Sequence, residues 1–236
     1  MAFQGFRVLA VVPARGGSRG IARKNLAQVG DRSLIAHCGA TIAELGFVDR
    51  AVISTDDAAM ASEGERNGLA APFLRPAALA SDSASADAAW SHAWRASESA
   101  FGERYELGLW LQPTTPLRRA ADVEATLRVL VDGGFDSAAS VSEIPAHLRP
   151  ERAMTLGASS ELGFYSAAGP GHANRQTIPT SWYRNGVCYA ARRETVVEQG
   201  RVIGEKPAGV PTPGPVISID EPEDLELARW QWERAQ

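Results

Sequence analysis

A chain of 236 residues can bury one good-sized α/β core, or one domain with a small appendage. Its 44% hydrophobic and 22% charged residues suit a globular protein, and a formal net charge of −4 argues against the basic face of a nucleic-acid binder. Two cysteines far apart, Cys38 and Cys188, with no thiol or histidine nearby at ligand spacing, argue against a zinc site or disulfide framework and fit a reducing compartment.

In chain order, Arg7–Val12 (RVLAVV) reads as a buried strand ended by Pro13. Leu34, Ile35, Cys38, Ile42 and Leu45 mark one face of a helix that stops near Gly46. Arg50–Thr55 is a second strand, followed by a short helix ending at Gly68. Trp90, Trp94 and Phe101 lie on a third helix, Leu107–Pro113 is another strand, and Val123, Leu127 and Leu130 face a fourth helix. Ser137–Ile144 is a further strand. From Pro145 to Ser181 the rhythm breaks into glycines and prolines without a long periodic segment, too long for a plain loop in a compact domain. This predicts an inserted lid or dimerisation arm over 145–181, with residues 1–144 and 182–236 forming the main α/β domain. NGVCYAA, PVISID and a helix from Glu221 to Arg234 are expected to close the sheet. The opening MAFQGFRVLAVV lacks a signal peptide's long apolar region, and no run reaches membrane-spanning length. A cytoplasmic protein is expected, with neither membrane nor nucleic acid as partner.

Strands alternating with helices imply right-handed crossovers and a mostly parallel, twisted sheet covered on both faces. Ligands in such sheets bind beyond the C-terminal strand ends, so PARGGSRG, STDD and QPTTPLR should share one rim. The first of these loops is the informative one. Glycines let backbone N–H groups converge on an anion, and Arg15, Arg19, Arg23 and Lys24 add charge-assisted donors. That is a polyphosphate cradle; the plainer alternative is a glycine-rich turn with solvated basic residues. GGSRGIARKN has neither the G-K-[ST] ending of a P-loop nor the G-x-G-x-x-G spacing of a dinucleotide fold, so a nucleotide would be held in another way.

VVPARGGSRGIARKNL resembles the opening signature of the CMP-sialic acid synthetases, the acylneuraminate cytidylyltransferases. STDD, FLRPAALASDSAS, LQPTTPLR, YRNGVCY and SIDEPEDLELA follow in that family's order, over almost the whole chain. The resemblance implies a Rossmann-like nucleotidyltransferase fold and transfer of CMP from CTP to an acidic acceptor, with release of pyrophosphate assisted by Mg²⁺. It makes Arg15 and Lys24 the catalytic cations. Ala14, Gly16, Gly17, Ser18, Asn25, Arg75, Ala80, Ser81 and Ser85 become nucleotide-binding, Gln112, Arg175, Asn185 and Tyr189 acceptor-binding, and Asp220 the metal ligand. It also implies that the 145–181 excursion reaches over a partner's active site in a homodimer.

Three departures matter. The family's D-x-D on its last strand is here Ser218-Ile219-Asp220, and a serine is a weaker ligand for a hard cation. Val202 and Ile203 stand where an aromatic pair often lines the sialic acid pocket. Ala86 replaces a serine of the family's SDTASS segment. The donor side therefore matches better than the acceptor side. Since relatives of the family load CMP onto other small acids, phosphonates among them, a small carboxylate or phosphonate stands beside a nonulosonic acid as the acceptor. For such an anionic acceptor Arg149, Arg152, Arg175 and Arg184 are the available cations. Two alternatives stay open: a non-catalytic CTP-binding relative, and a nucleotide-sugar glycosyltransferase, against which the absence of any D-x-D in the chain argues.

Overall fold

The computed structural model describes residues 3–18, 20–171 and 178–235. Strand β1 (Val8–Pro13) turns Val8, Ala10 and Val12 to one hydrophobic cluster and Leu9 and Val11 to another. A strand buried on both faces needs apolar residues at every position, which is why this stretch is a continuous run rather than an alternation. The chain then makes a short helical turn (Lys24–Leu26) and a small hairpin of β2 (Gln28–Val29) and β3 (Arg32–Ser33). Helix α1 (Leu34–Ala43) follows, its first turn capped by the Ser33 hydroxyl accepting from Ala36 N. Strand β4 (Arg50–Ser54) leads to α2 (Ala58–Arg66), whose N-cap Asp57 accepts from Ala59 N and Met60 N. Helix α3 (Ala86–Phe101) is capped by Ser85, and β5 (Leu107–Trp110), α4 (Ala120–Asp132) and β6 (Ser137–Glu143) complete the alternation. After β7 (Met154–Leu156) and β8 (Leu162–Phe164) come β9 (Trp182–Arg192), β10 (Pro207–Pro211) and α5 (Pro222–Arg234).

The main sheet has six strands in the order β10-β6-β9-β5-β1-β4. β4 and β5 both pair with β1 in parallel, with Val11 opposite Val52 on one side and Trp110 on the other. β9 enters antiparallel to β5, Tyr189 opposite Trp110, so the sheet is mixed around a parallel centre. Helices cover both faces. Ile35, Cys38 and Ile42 of α1 join Val123, Leu127 and Leu130 of α4 in one core, while Trp90 and Trp94 of α3 fill the other. Glycine at 108 is required by this second core, because a Cβ there would lie 2.1 Å from the Trp94 ring.

One expected strand is absent. Residues 215–220 form no strand of the sheet and are held by a bond from Ile219 N to Thr114 O (2.8 Å). β10 takes the sheet edge in its place.

The chain divides into two units, Met1–Ser140 with Asn185–Gln236, and Val141–Arg184. The second holds the β7–β8 hairpin, registered Met154 opposite Phe164, and a buried arginine. Arg149 donates to Ile178 O (2.9 Å) and pairs with Glu143, so it is committed within its own unit rather than available to an acceptor. Among the described residues no helix is long and apolar enough to cross a membrane.

His37 gives the fold a pH limit. It lies buried on α1, its Nε2 2.8 Å from Val29 O and its ring edge-on to Trp232. Burial lowers its pKa below 6.5, with Arg32 and Arg118 acting in the same direction against the Val29 bond and Asp31. A depressed histidine leaves stability intact above the unfolded value and erodes it as the pH falls, because the unfolded chain takes up the proton first. The melting temperature is expected to drop between pH 7 and pH 5, and His37→Gln should flatten part of that slope; identical slopes would place the titration elsewhere.

Candidate active site

A cavity of about 440 Å³ opens at the C-terminal ends of β1 and β5, within the first unit. The loop after β1 supplies one wall. Its cations are directed by local backbone: Arg23 sits in the left-handed region (φ 52°), costly for a residue with a Cβ, and starts the helical turn that carries Lys24 and Asn25. Gly20 is packed so closely against the 220 segment that a Cβ would lie 2.5 Å from Asp220 O, and only glycine permits that approach.

Lys24 Nζ donates to Ile219 O (2.8 Å) and to Asp220 Oδ1 (3.0 Å). Asp220 is itself positioned from behind, since Asp224 Oδ2 accepts from the backbone N–H groups of Asp220 and Glu221 at 2.9 Å each. Arg15 pairs with Asp82 at 2.7 Å, and Asn25 Nδ2 donates to Arg15 O (3.1 Å), fixing that residue's backbone. Arg75 is buried. It donates from Nε to Ser54 Oγ (3.0 Å) and from Nη2 to Ser54 O, while burial, aided by Arg15 and opposed by Asp56, brings its pKa down to about 10. It therefore remains a cation at neutral pH. At the end of β5, Arg118 clamps the turn by donating to Thr115 O and Gln112 O. Two cations from one glycine loop and a third from below converge on a single cavity. Such an arrangement suits a ligand carrying several negative charges.

Comparison with known proteins agrees with this chemistry. Residues 9–95 match the model of the family described as Cytidylyltransferase. The pseudaminic acid cytidylyltransferase of Campylobacter jejuni is 26% identical over 94% of this chain and 94% of its own length. The N-acylneuraminate cytidylyltransferase of Escherichia coli is 25% identical over 94% of this chain, which spans about half the length of that relative. The chain is similar to the CMP-sialic acid synthetase-like cytidylyltransferases. Its fold is also that of the solved CMP:2-keto-3-deoxy-manno-octonic acid synthetase complexed with CTP, at 19% identity, a TM-score of 0.71 and coverage of 98% of this chain and 100% of that one.

The residues singled out in the sequence fall into three groups. Arg15, Gly17, Ser18, Lys24 and Asn25 line the cavity, with Arg75, Ser81 and Ser85 from the segment around α3 and Gln112 and Asp220 from the loops opposite. Ala14, Gly16, Ala80, Asn185 and Tyr189 stand outside the lining. Ala14 is buried, donating its N–H to Ser54 O (2.9 Å), and Gly16 gives its N–H to Asp56 Oδ1 (2.8 Å), so neither amide points at an open anion site. Asn185 is buried in a hydrogen-bond network, and Tyr189 packs beside the second core. Arg19 and Arg175 lie outside the described residues.

Asp82, within the 80–85 segment that the resemblance puts on the nucleoside, also lies in the cavity wall. Trp110 does too, but it is not legible in the sequence, because on a continuous apolar strand a tryptophan reads as core.

Proposed function

We propose that this chain transfers CMP from CTP to a small acidic acceptor and releases pyrophosphate. What supports this most directly is the pairing of Arg15 with Asp82 and of Lys24 with Asp220 inside one cavity, where each cation holds an exposed carboxylate that phosphate oxygens can displace. An acceptor oxygen attacks the α-phosphorus, the bond from that phosphorus to the β-phosphate oxygen breaks, and the electron pair leaves with pyrophosphate. The charge growing on that leaving group falls to Arg15 and Lys24, already in place, so little reorganisation is needed. Asn25 and Arg75 hold the donor side, and Gln112 faces the acceptor.

Among the described residues no group of three or more His, Cys, Asp or Glu side chains could hold a metal ion. That suits Mg²⁺, which commonly rests on one or two carboxylates plus substrate phosphates rather than in a protein cage. Asp220 would hold it together with oxygens of CTP, where it neutralises phosphate charge. Ser218, exposed and outside the cavity wall, offers no second carboxylate.

Leu148, Leu156, Leu162 and Tyr165, each 64% exposed or more, belong to the Val141–Arg184 unit. Four large apolar side chains left in water support a homodimer contact through this unit. Sedimentation velocity should return a dimer, and Leu156→Glu with Leu162→Glu should shift it to monomer; an unchanged sedimentation coefficient rejects this surface.

Activity is tested by titrating CTP in a calorimeter and then measuring pyrophosphate release with a panel of small acids and N-acetylneuraminate. CTP binding and acid-dependent release are expected. CTP binding without release for any acid would leave a nucleotide-binding module, and no CTP binding would remove the reading altogether.

A further inference from the structure

The cavity carries an aromatic residue in its wall where the sequence reading found the family's ring surface missing. Trp110 lines the cavity although only 3% of it is exposed. Gly108 and Trp110 are two residues apart on β5, so they stand on one face of the sheet, and Gln112 follows just beyond the strand end. Gly108 makes room for Trp94, Trp110 packs on Trp90 with ring centroids 5.5 Å apart, and Gln112 reaches the rim. Across the strand pair, Tyr189 stands directly opposite Trp110. Trp90 and Trp94 are fully buried behind the ring, which therefore has no room to swing back.

We propose that Trp110 is a specificity-determining residue: its indole closes the acceptor side of the cavity and restricts the acceptor to a compact acid of a few carbon atoms. This rests on the cytidylyltransferase reading above. The volume points the same way. A cavity of about 440 Å³ is at the small end for one drug-sized ligand (roughly 300–1,000 Å³), and here a nucleoside triphosphate must share it with the acceptor. Val202 and Ile203, at the positions of the expected aromatic pair, pack into the same core as Trp90 and Trp110, so the ring surface is built from β5 instead.

The test compares phosphonoacetate, which offers both carboxylate and phosphonate oxygens, with N-acetylneuraminate in the full-length protein. The wild type is expected to show the higher kcat/KM with phosphonoacetate. Trp110→Ala should raise kcat/KM for N-acetylneuraminate at least tenfold while the Kd for CTP stays within threefold. A gain below tenfold with CTP binding kept, or a wild type that prefers the nine-carbon acid, overturns the proposal. Should the alanine variant lose CTP binding through misfolding, Trp110→Leu decides, with a gain of at least threefold required. Failure of the wild type to bind CTP strikes the activity itself and is seen before any variant is made.

Discussion

Lys24→Ala is expected to lower kcat by about 10²–10³-fold and to move the melting temperature by only about 2–4 °C. Two different energies are involved. In the resting protein Lys24 contributes bonds to Ile219 O and Asp220 Oδ1, and Asp220 is 70% exposed, so solvent screens the pair to at most about 1 kcal/mol. During transfer the same ammonium meets charge that does not exist in the ground state, in a cavity it already lines, where one preorganised donor is worth about 3–4 kcal/mol. Most of what Lys24 contributes is therefore felt in the transition state, and kcat must fall far more than stability does. Lys24→Arg keeps the charge but replaces a compact ammonium with a planar fork, and it should recover only part of the rate. Steady-state kinetics beside thermal unfolding reads both quantities. A collapse of folding as large as the loss of rate would make Lys24 a structural residue.

How far such roles can be read from residue order depends on what competes locally. The rim was legible because an apolar run ending at Pro13 leaves little choice, and a parallel strand must send its next loop to the carboxyl edge of the sheet. PVISID misled for a physical reason: its alternation of apolar and polar residues is that of a strand. Its backbone is instead tethered by Thr114 O at Ile219 and by the Asp224 carboxylate at Asp220, which aims Asp220 at the cavity. The edge strand β10, PAGVP, begins and ends in proline, a composition that argues against a strand except at a sheet edge, which is where it lies. Arg149 shows the opposite failure. In the sequence it reads as a cation available to an anionic acceptor, yet it is buried and engaged by carbonyls and by Glu143. Charge is visible in a sequence, whereas the partners that neutralise it are not.

Asn185→Ala is expected to cost about 2–3 kcal/mol of stability, lowering the melting temperature by about 5–10 °C, and to leave the acceptor KM within about threefold. The resemblance to CMP-sialic acid synthetases put this residue on the acceptor, but both ends of its amide are engaged inside the fold. Nδ2 donates to Thr212 Oγ1 (2.6 Å), while Oδ1 accepts from Ser140 Oγ (2.6 Å) and from Val187 N (3.2 Å). Ser140 in turn accepts from Cys188 N (2.9 Å), so the amide ties β6 to β9 beside the cavity-forming strands. Val187 is almost completely buried, so truncation would leave its N–H without the Asn185 oxygen and without water to replace it. It would also take the Nδ2 donor from Thr212 Oγ1 and leave Ser140 Oγ only Cys188 O (3.1 Å) to donate to. Stranded groups of that kind cost more than the bond they lose. The two readings separate cleanly, because a residue that meets the acceptor would raise KM while the melting temperature held. Urea unfolding together with acceptor titration distinguishes them, and a tenfold rise in KM at unchanged stability would return Asn185 to the acceptor.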